Sequence, residues 1–325
     1  MLRRTLAFLV FTALASYGQV THERLLNADK EPQNWLTYSG GFASQRYSLL
    51  SQITPDNVKD LTLQWAFQQR SIEKFETTPI VVDGMMYLTQ APNDIVALDA
   101  ATGEIKWLYN YTPARDARPC CGRVNRGVAI AGNTLYMVTI DAHLVAVNAR
   151  DGKQLWDHEV AKASAGYAMT HAPLVIKDKV IAGVAGAEFG IRGFIAAFDV
   201  ATGKEAWRFY TIPGKGEPGN ETWAGDSWMH GGASVWVTGS YDPETNLTYW
   251  GTGNAGPDYN GDNRMGDNLY SSSVIAVDAD TGKLKWHYQF SPHDEFDWDA
   301  TQIPVLADIT FNGRPRKVMM WANRN

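Results

Sequence analysis

The chain has 325 residues, 45% hydrophobic and 20% charged, with a formal net charge of −6. This is enough apolar chain for one large or two ordinary domains, which excludes a disordered segment, and an acidic balance without a Lys/Arg cluster excludes a general nucleic-acid binder. Two cysteines exclude a disulfide scaffold and a four-cysteine zinc site, and no Cys-x-x-Cys-His is present to attach a c-type haem.

Residues 1–18 stand apart. Arg3 and Arg4 precede an apolar run over residues 6–15, too short to span a bilayer, and Ser16-Tyr17-Gly18 offers small residues for cleavage. The stretch reads as a secretory signal peptide, so the mature protein is expected to start at residue 19, exported and soluble. Next comes a pair of short apolar runs, residues 78–82 and 85–89, separated by Asp83-Gly84, a hairpin signal.

A motif follows that occurs four times. Ala97-Leu-Asp-Ala-Ala-Thr-Gly-Glu-Ile-Lys-Trp107 is matched by Ala146-Val-Asn-Ala-Arg-Asp-Gly-Lys-Gln-Leu-Trp156, by Ala197-Phe-Asp-Val-Ala-Thr-Gly-Lys-Glu-Ala-Trp207 and by Ala276-Val-Asp-Ala-Asp-Thr-Gly-Lys-Leu-Lys-Trp286. Each copy predicts a strand, a tight turn and a return strand. The Asp bonds back to the backbone, and the Gly is free to take a positive φ. With the two runs before it, each unit predicts a four-stranded antiparallel sheet the size of a propeller blade, with the Trp in the wedge between neighbouring sheets. Between the third and fourth copies lies a Gly-rich, polar insertion over residues 213–231, the kind of segment that often carries function.

The repeat resembles the tryptophan-docking motif of the PQQ-dependent (quinoprotein) alcohol dehydrogenases. More specific motifs fall in the family's order over residues 34–325. The resemblance implies an all-β, eight-bladed propeller, of which residues 19–325 supply about four to five blades. The chain is therefore expected to be part of a longer protein and inactive alone.

Adjacent Cys120 and Cys121 could, from the residues alone, be buried thiols or a bridged pair. Their setting, Cys120-Cys-Gly-Arg-Val-Asn-Arg-Gly127, is similar to the family motif, which implies a vicinal disulfide against one face of PQQ. By the same resemblance, Arg126 pairs with a PQQ carboxylate, and Glu76 and Thr170 lie at the cofactor edge. Ala185, Gly186 and Ala187 approach the cofactor, although Ala185 stands where several members have Ser. Ser234 keeps a hydroxyl near the cofactor, and Trp236 stacks on the face opposite the disulfide. Glu188 and Asn254 correspond to the metal-ligating glutamate and asparagine, oxygen donors suited to a hard cation.

The acidic run Pro292-His-Asp-Glu-Phe-Asp-Trp-Asp-Ala300 is identified with the family segment whose aspartate, here Asp297, is the catalytic base. Asp299 falls where lanthanide-type members carry an aspartate. In a strand-like segment, residues i and i+2 face the same way, so both are expected to face one metal. The added charge favours a lanthanide(III) over Ca2+. Arg324 resembles the basic residue at the reactive quinone oxygen.

The implied reaction is periplasmic oxidation of a primary alcohol to an aldehyde by hydride transfer to PQQ, with a periplasmic cytochrome c as acceptor. A homodimer or a small second subunit stays open. The competing reading is a cofactor-free propeller scaffold that binds partner proteins in outer-membrane assembly. It has no need of Cys120, Cys121, Glu188, Asn254 and Asp297 in this order. A PQQ-dependent membrane glucose dehydrogenase would need several transmembrane helices before the propeller. His143, His158 and His230 lack a ligand spacing and read as structural.

Overall fold

A computed structural model describes residues 19–324, so the signal-peptide segment lies outside the described residues. The first sheet is β1 (Ile80–Val82), β2 (Met85–Gln90), β3 (Asp94–Asp99) and β4 (Ile105–Tyr109). The second is β5 (Ala129–Ala131), β6 (Thr134–Val138), β7 (His143–Asn148) and β8 (Gln154–Glu159). The third is β9 (Leu174–Ile176), β10 (Lys179–Gly183), β11 (Phe194–Asp199) and β12 (Glu205–Tyr210). The fourth is β13 (Ser240–Asp242), β14 (Leu247–Gly251), β15 (Ser273–Asp278) and β16 (Leu284–Gln289). A hairpin, β17 (Val305–Phe311) with β18 (Arg314–Met320), follows. Each sheet is an antiparallel meander in chain order. No helix among the described residues is long and apolar enough to cross a membrane.

The predicted turns form as the residue types require. Asp83 and Gly84 both take positive φ, +50° and +83°, as a two-residue hairpin turn demands. The Asp99 carboxylate accepts from the backbone N–H of Ala101 at 3.1 Å and of Thr102 at 3.0 Å. Asp199 and Asp278 do the same in their own turns. The middle strands β3, β7, β11 and β15 are buried at their centres, whereas the outer strands β8 and β16 alternate or lie open. The first strands of neighbouring sheets, β5 with β9 and β13 with β17, approach one another. This is the inner edge of a propeller.

What joins sheet to sheet is tryptophan on glycine. A β-carbon built on Gly152 would lie 2.7 Å from the Trp107 ring, and one on Gly203 would lie 2.9 Å from Trp156. Gly282 meets Trp207 in the same way. Thus Trp107, Trp156 and Trp207 each pack against the turn glycine of the next repeat, and only a residue without Cβ lets the ring that close. Two indoles are also anchored by hydrogen bonds: Trp107 Nε1 donates to Ala149 O and Trp207 Nε1 to Ala279 O, both at 3.1 Å. Trp65 does the same job for Gly103, with a β-carbon there 2.6 Å from its ring. The sequence pattern does not announce Trp65, because no Asp-Thr-Gly turn precedes it.

Gly152 and Gly132 both hold positive φ, +72° and +59°, but nothing lies within 4 Å of a β-carbon at Gly132. Both alanine variants bear the backbone cost of about 1 kcal/mol. Gly152→Ala also displaces Trp107 and is expected to lose about 2–4 kcal/mol in total. Denaturant unfolding checks the difference, and equal losses at the two glycines would contradict the docking role.

Candidate functional site

The loops entering the first strands of three successive sheets are joined through their backbones. Thr78 N–H donates to Arg126 O, and Arg126 N–H donates to Thr170 O, both at 3.0 Å. This ladder puts the side chains of these loops together. Arg126 Nη2 pairs with Glu76 at 2.8 Å, and its Nη1 donates to Thr170 Oγ1 at 2.9 Å. The same guanidinium lies over the ring of Trp236, 5.1 Å from its centroid. Four residues singled out in the sequence thus form one cluster.

Cys120 and Cys121 form a vicinal disulfide with Cα atoms 3.8 Å apart. Lys74, which no motif singled out, donates from Nζ to the Cys121 carbonyl at 2.8 Å and holds the loop. Cys121 Sγ lies 3.9 Å from Glu188 Oε1. A disulfide sulfur carries no proton, so this is a contact rather than a hydrogen bond.

Ala185 pairs with Ala168, N–H to O at 2.7 Å and O to N–H at 3.0 Å. The chain then turns through Gly186 at φ +121°, where a β-carbon would collide with the Gly166 carbonyl, into a 3-10 turn, Ala187–Phe189, that presents Glu188. The insertion over residues 213–231 reaches this turn through His230, whose Nδ1 lies 2.9 Å from Gly190 O.

Asn254 is buried, at 3% exposure. Its Nδ2 donates to Asp258 Oδ1 at 2.7 Å, which commits the amide nitrogen and leaves the carboxamide oxygen as the acceptor. Its backbone N–H donates to Asp299 Oδ1 at 3.0 Å. Gly253 leaves room for this: a β-carbon there would lie 2.7 Å from Asp299 Oδ1 and 2.9 Å from the Ser234 hydroxyl. Ser234 and Asp299 therefore both lie against Gly253.

The segment carrying Asp297 and Asp299 is not a strand. Asp297 takes φ +60°, and the Asp294 carboxylate accepts from Trp298 N–H at 3.0 Å, which closes a turn. The expected i, i+2 alternation fails for that reason. The two carboxylates share one electrostatic field all the same. Loss of water pushes Asp299 up to about 7, and the charges of Asp297 and Glu188 add to this. Glu188 and Asp297 are also raised, first by partial loss of water and then by Asp258. Asp258 is a member of the site that the sequence did not reveal. Arg324 pulls Asp297 and Asp299 the other way, and its Nη1 donates to the Asp297 carbonyl at 2.5 Å.

Among the described residues, one group of His, Cys, Asp or Glu brings all its ligand atoms within 4.8 Å: Cys120, Cys121 and Glu188. Bridged sulfurs are not thiolates, so this is no thiolate metal site. Glu188, Asp297 and Asp299 stand further apart, as like charges do. A hard cation fits this donor set, since it relieves the repulsion. A flat, anionic quinone fits the guanidinium and the indole face. Trp236 also borders a cleft of about 630 Å3 with Tyr38, Thr301, Gln302 and Trp321. A cleft of about 670 Å3 between residues 25–49 and the β17–β18 hairpin contains none of the site residues.

His171, next to Thr170, is fully buried. Its Nε2 accepts from Gly183 N–H at 2.9 Å and its Nδ1 donates to Ala172 O at 2.7 Å, an arrangement of the neutral ring. Burial lowers its pKa from 6.5 to about 4. The unfolded chain therefore takes up this proton first, so stability falls as pH drops below 6.5, by about 2 kcal/mol at pH 5. Unfolding at pH 7.5 and 5 is expected to show a smaller loss in His171→Gln; equal losses would contradict the neutral ring.

Residues 35–325 match the family described as PQQ, glucose/ethanol/alcohol dehydrogenase, beta-propeller domain. The chain is 41% identical to the quinohemoprotein alcohol dehydrogenase ADH IIB of Pseudomonas putida, over 97% of this chain and 48% of that protein. It is 36% identical to the lanthanide-dependent methanol dehydrogenase of Methylacidiphilum fumariolicum, over 97% of this chain and 56% of that protein. The solved structure of quinohemoprotein alcohol dehydrogenase ADHIIG from Pseudomonas putida superposes with a TM-score of 0.91 at 42% identity, covering 95% of this chain and 48% of that one. The chain spans about half the length of the relatives it matches.

Proposed function

The chain belongs to the PQQ glucose/ethanol/alcohol dehydrogenase β-propeller family, and on that premise we propose that the whole protein oxidises a primary alcohol to an aldehyde. We place this reaction in the periplasm, with PQQ and one metal ion as cofactors and a cytochrome c as the electron acceptor. The observation that carries the proposal is the single negative field that Glu188, Asp297 and Asp299 share, with the Cys120–Cys121 disulfide against Glu188.

Glu188, Asn254, Asp297 and Asp299 hold the cation through oxygen. Three carboxylates, with Asp258 beside them, favour a lanthanide(III) over Ca2+, because the site balances more positive charge. Trp236 and the disulfide flank the cofactor, while Arg126, Thr170, Glu76 and the Ala185-Gly186-Ala187 turn hold its edge. Bound PQQ supplies the hydride acceptor, and the cation supplies a Lewis acid.

Asp297 takes the hydroxyl proton of the alcohol on its carboxylate. Tyr259 hydrogen-bonds this carboxylate and favours its charged form, as Arg324 does by charge. Phe296 and Trp298 stack at 4.7 Å on either side of Asp297 in sequence and put apolar surface beside the base.

Asp297→Asn is expected to lower turnover by about 10²–10⁴-fold while PQQ remains bound; retained activity would remove Asp297 as the base. Asp299→Ala is expected to weaken lanthanum binding more than calcium binding. Equal losses, read by titration with each metal, would contradict the lanthanide assignment.

A further inference from the structure

Arg264 is fully buried, and none of its hydrogen bonds goes to a carboxylate. Removing a guanidinium from water is costly unless its donors are placed well. Here they reach two different loops. Nη2 donates to Pro257 O at 3.0 Å, in the loop that follows Asn254, and to Asp294 O at 2.5 Å, in the loop that carries Asp297 and Asp299. Nη1 donates to Asn268 Oδ1 at 2.8 Å. Asn268 in turn bonds Thr222 O through its backbone N–H at 3.1 Å, so the insertion over residues 213–231 joins the same hub.

The two loops also touch directly. Gly261 N–H donates to Glu295 Oε1 at 2.7 Å, and a β-carbon at Gly261 would intrude on His293 and Glu295. The charges of Asp294, Glu295 and Asp258 offset the loss of water only in part, and the buried Nε has no hydrogen-bond partner. Asn254 N–H to Asp299 Oδ1 and Ala300 N–H to Thr252 O tie the loops at the ligand end. Arg264 adds a tie behind them, because one rigid side chain bonds the backbone carbonyls of both loops.

We propose that Arg264 is a positioning residue that fixes the Asn254–Asp258 loop against the Asp297–Asp299 loop and so sets the spacing of the cation's ligands. The proposal rests on the ligand set given under the proposed function. Residues that orient metal ligands from behind commonly govern affinity by 10- to 100-fold. The planar fork is what the arrangement needs, since a lysine ammonium keeps the charge but cannot bond Pro257, Asp294 and Asn268 from one rigid group.

The test uses the full-length protein and terbium(III), with emission sensitised by nearby tryptophans as the readout of binding. Arg264→Lys is expected to bind terbium at least tenfold more weakly, while remaining folded by circular dichroism. Arg208, bonded to Val160 O and Glu205 away from the site, provides the control: Arg208→Lys is expected to leave terbium affinity unchanged. Wild-type affinity in folded Arg264→Lys, or an equal loss in both variants, would overturn the positioning role. A wild-type protein that binds no terbium would overturn the ligand assignment itself, and this proposal with it. Hydrogen exchange of the wild type is independent of the variants. Terbium is expected to slow exchange in residues 255–268 and 292–300 together, and protection confined to one loop would overturn the coupling.

Discussion

The seating of one sheet's tryptophan on the next sheet's turn glycine sets everything else in this chain. It fixes the distance and tilt between sheets at their outer edge, through Trp65 on Gly103, Trp107 on Gly152, Trp156 on Gly203 and Trp207 on Gly282. With the outer edges held, the first strands are brought side by side, and the loops that enter them become neighbours. The Thr78–Arg126–Thr170 backbone ladder can form only because those loops arrive in register. Trp286, the last of the series, is 40% exposed and has no further turn glycine against it among the described residues.

The site is assembled from loops, and it is stitched rather than packed. Glu76, Arg126, Thr170 and Trp236 come from four separate places in the chain and meet through one guanidinium. The carboxylates come from two further loops, and they repel. Loss of water and neighbouring negative charge raise Glu188, Asp297 and Asp299, and Arg324 opposes this at the two aspartates. Such a concentration of raised carboxylates is costly to the fold and marks a place where a cation belongs. Arg264, placed behind the site, ties the Asn254–Asp258 loop to the loop of Asp297 and Asp299.

Much of the fold was legible in the sequence, because it is written in local chemistry. An Asp that folds back on its own turn, a Gly at positive φ and a Trp at a constant offset each have a short-range cause, and each recurs. Trp65 carries no such signal because its segment lacks the turn that makes the other copies visible. The site was legible in a different way. Its residues became visible through resemblance to a family, since a lone Glu188 or Asn254 in a Gly-rich loop carries no pattern of its own. The expected alternation of Asp297 and Asp299 failed at one backbone angle, φ +60° at Asp297, which no periodicity in the acidic run reveals. Asp258, Lys74 and Arg264 were not visible either, because what matters about each is the partner that folding delivers from elsewhere in the chain.

The central claim is that these loops hold a redox quinone beside a trivalent cation. Its most direct test is dye-linked oxidation of ethanol by the full-length protein, reconstituted with PQQ and either lanthanum or calcium. The account predicts activity with lanthanum exceeding that with calcium. Absence of both turnover and PQQ binding with either metal would contradict it.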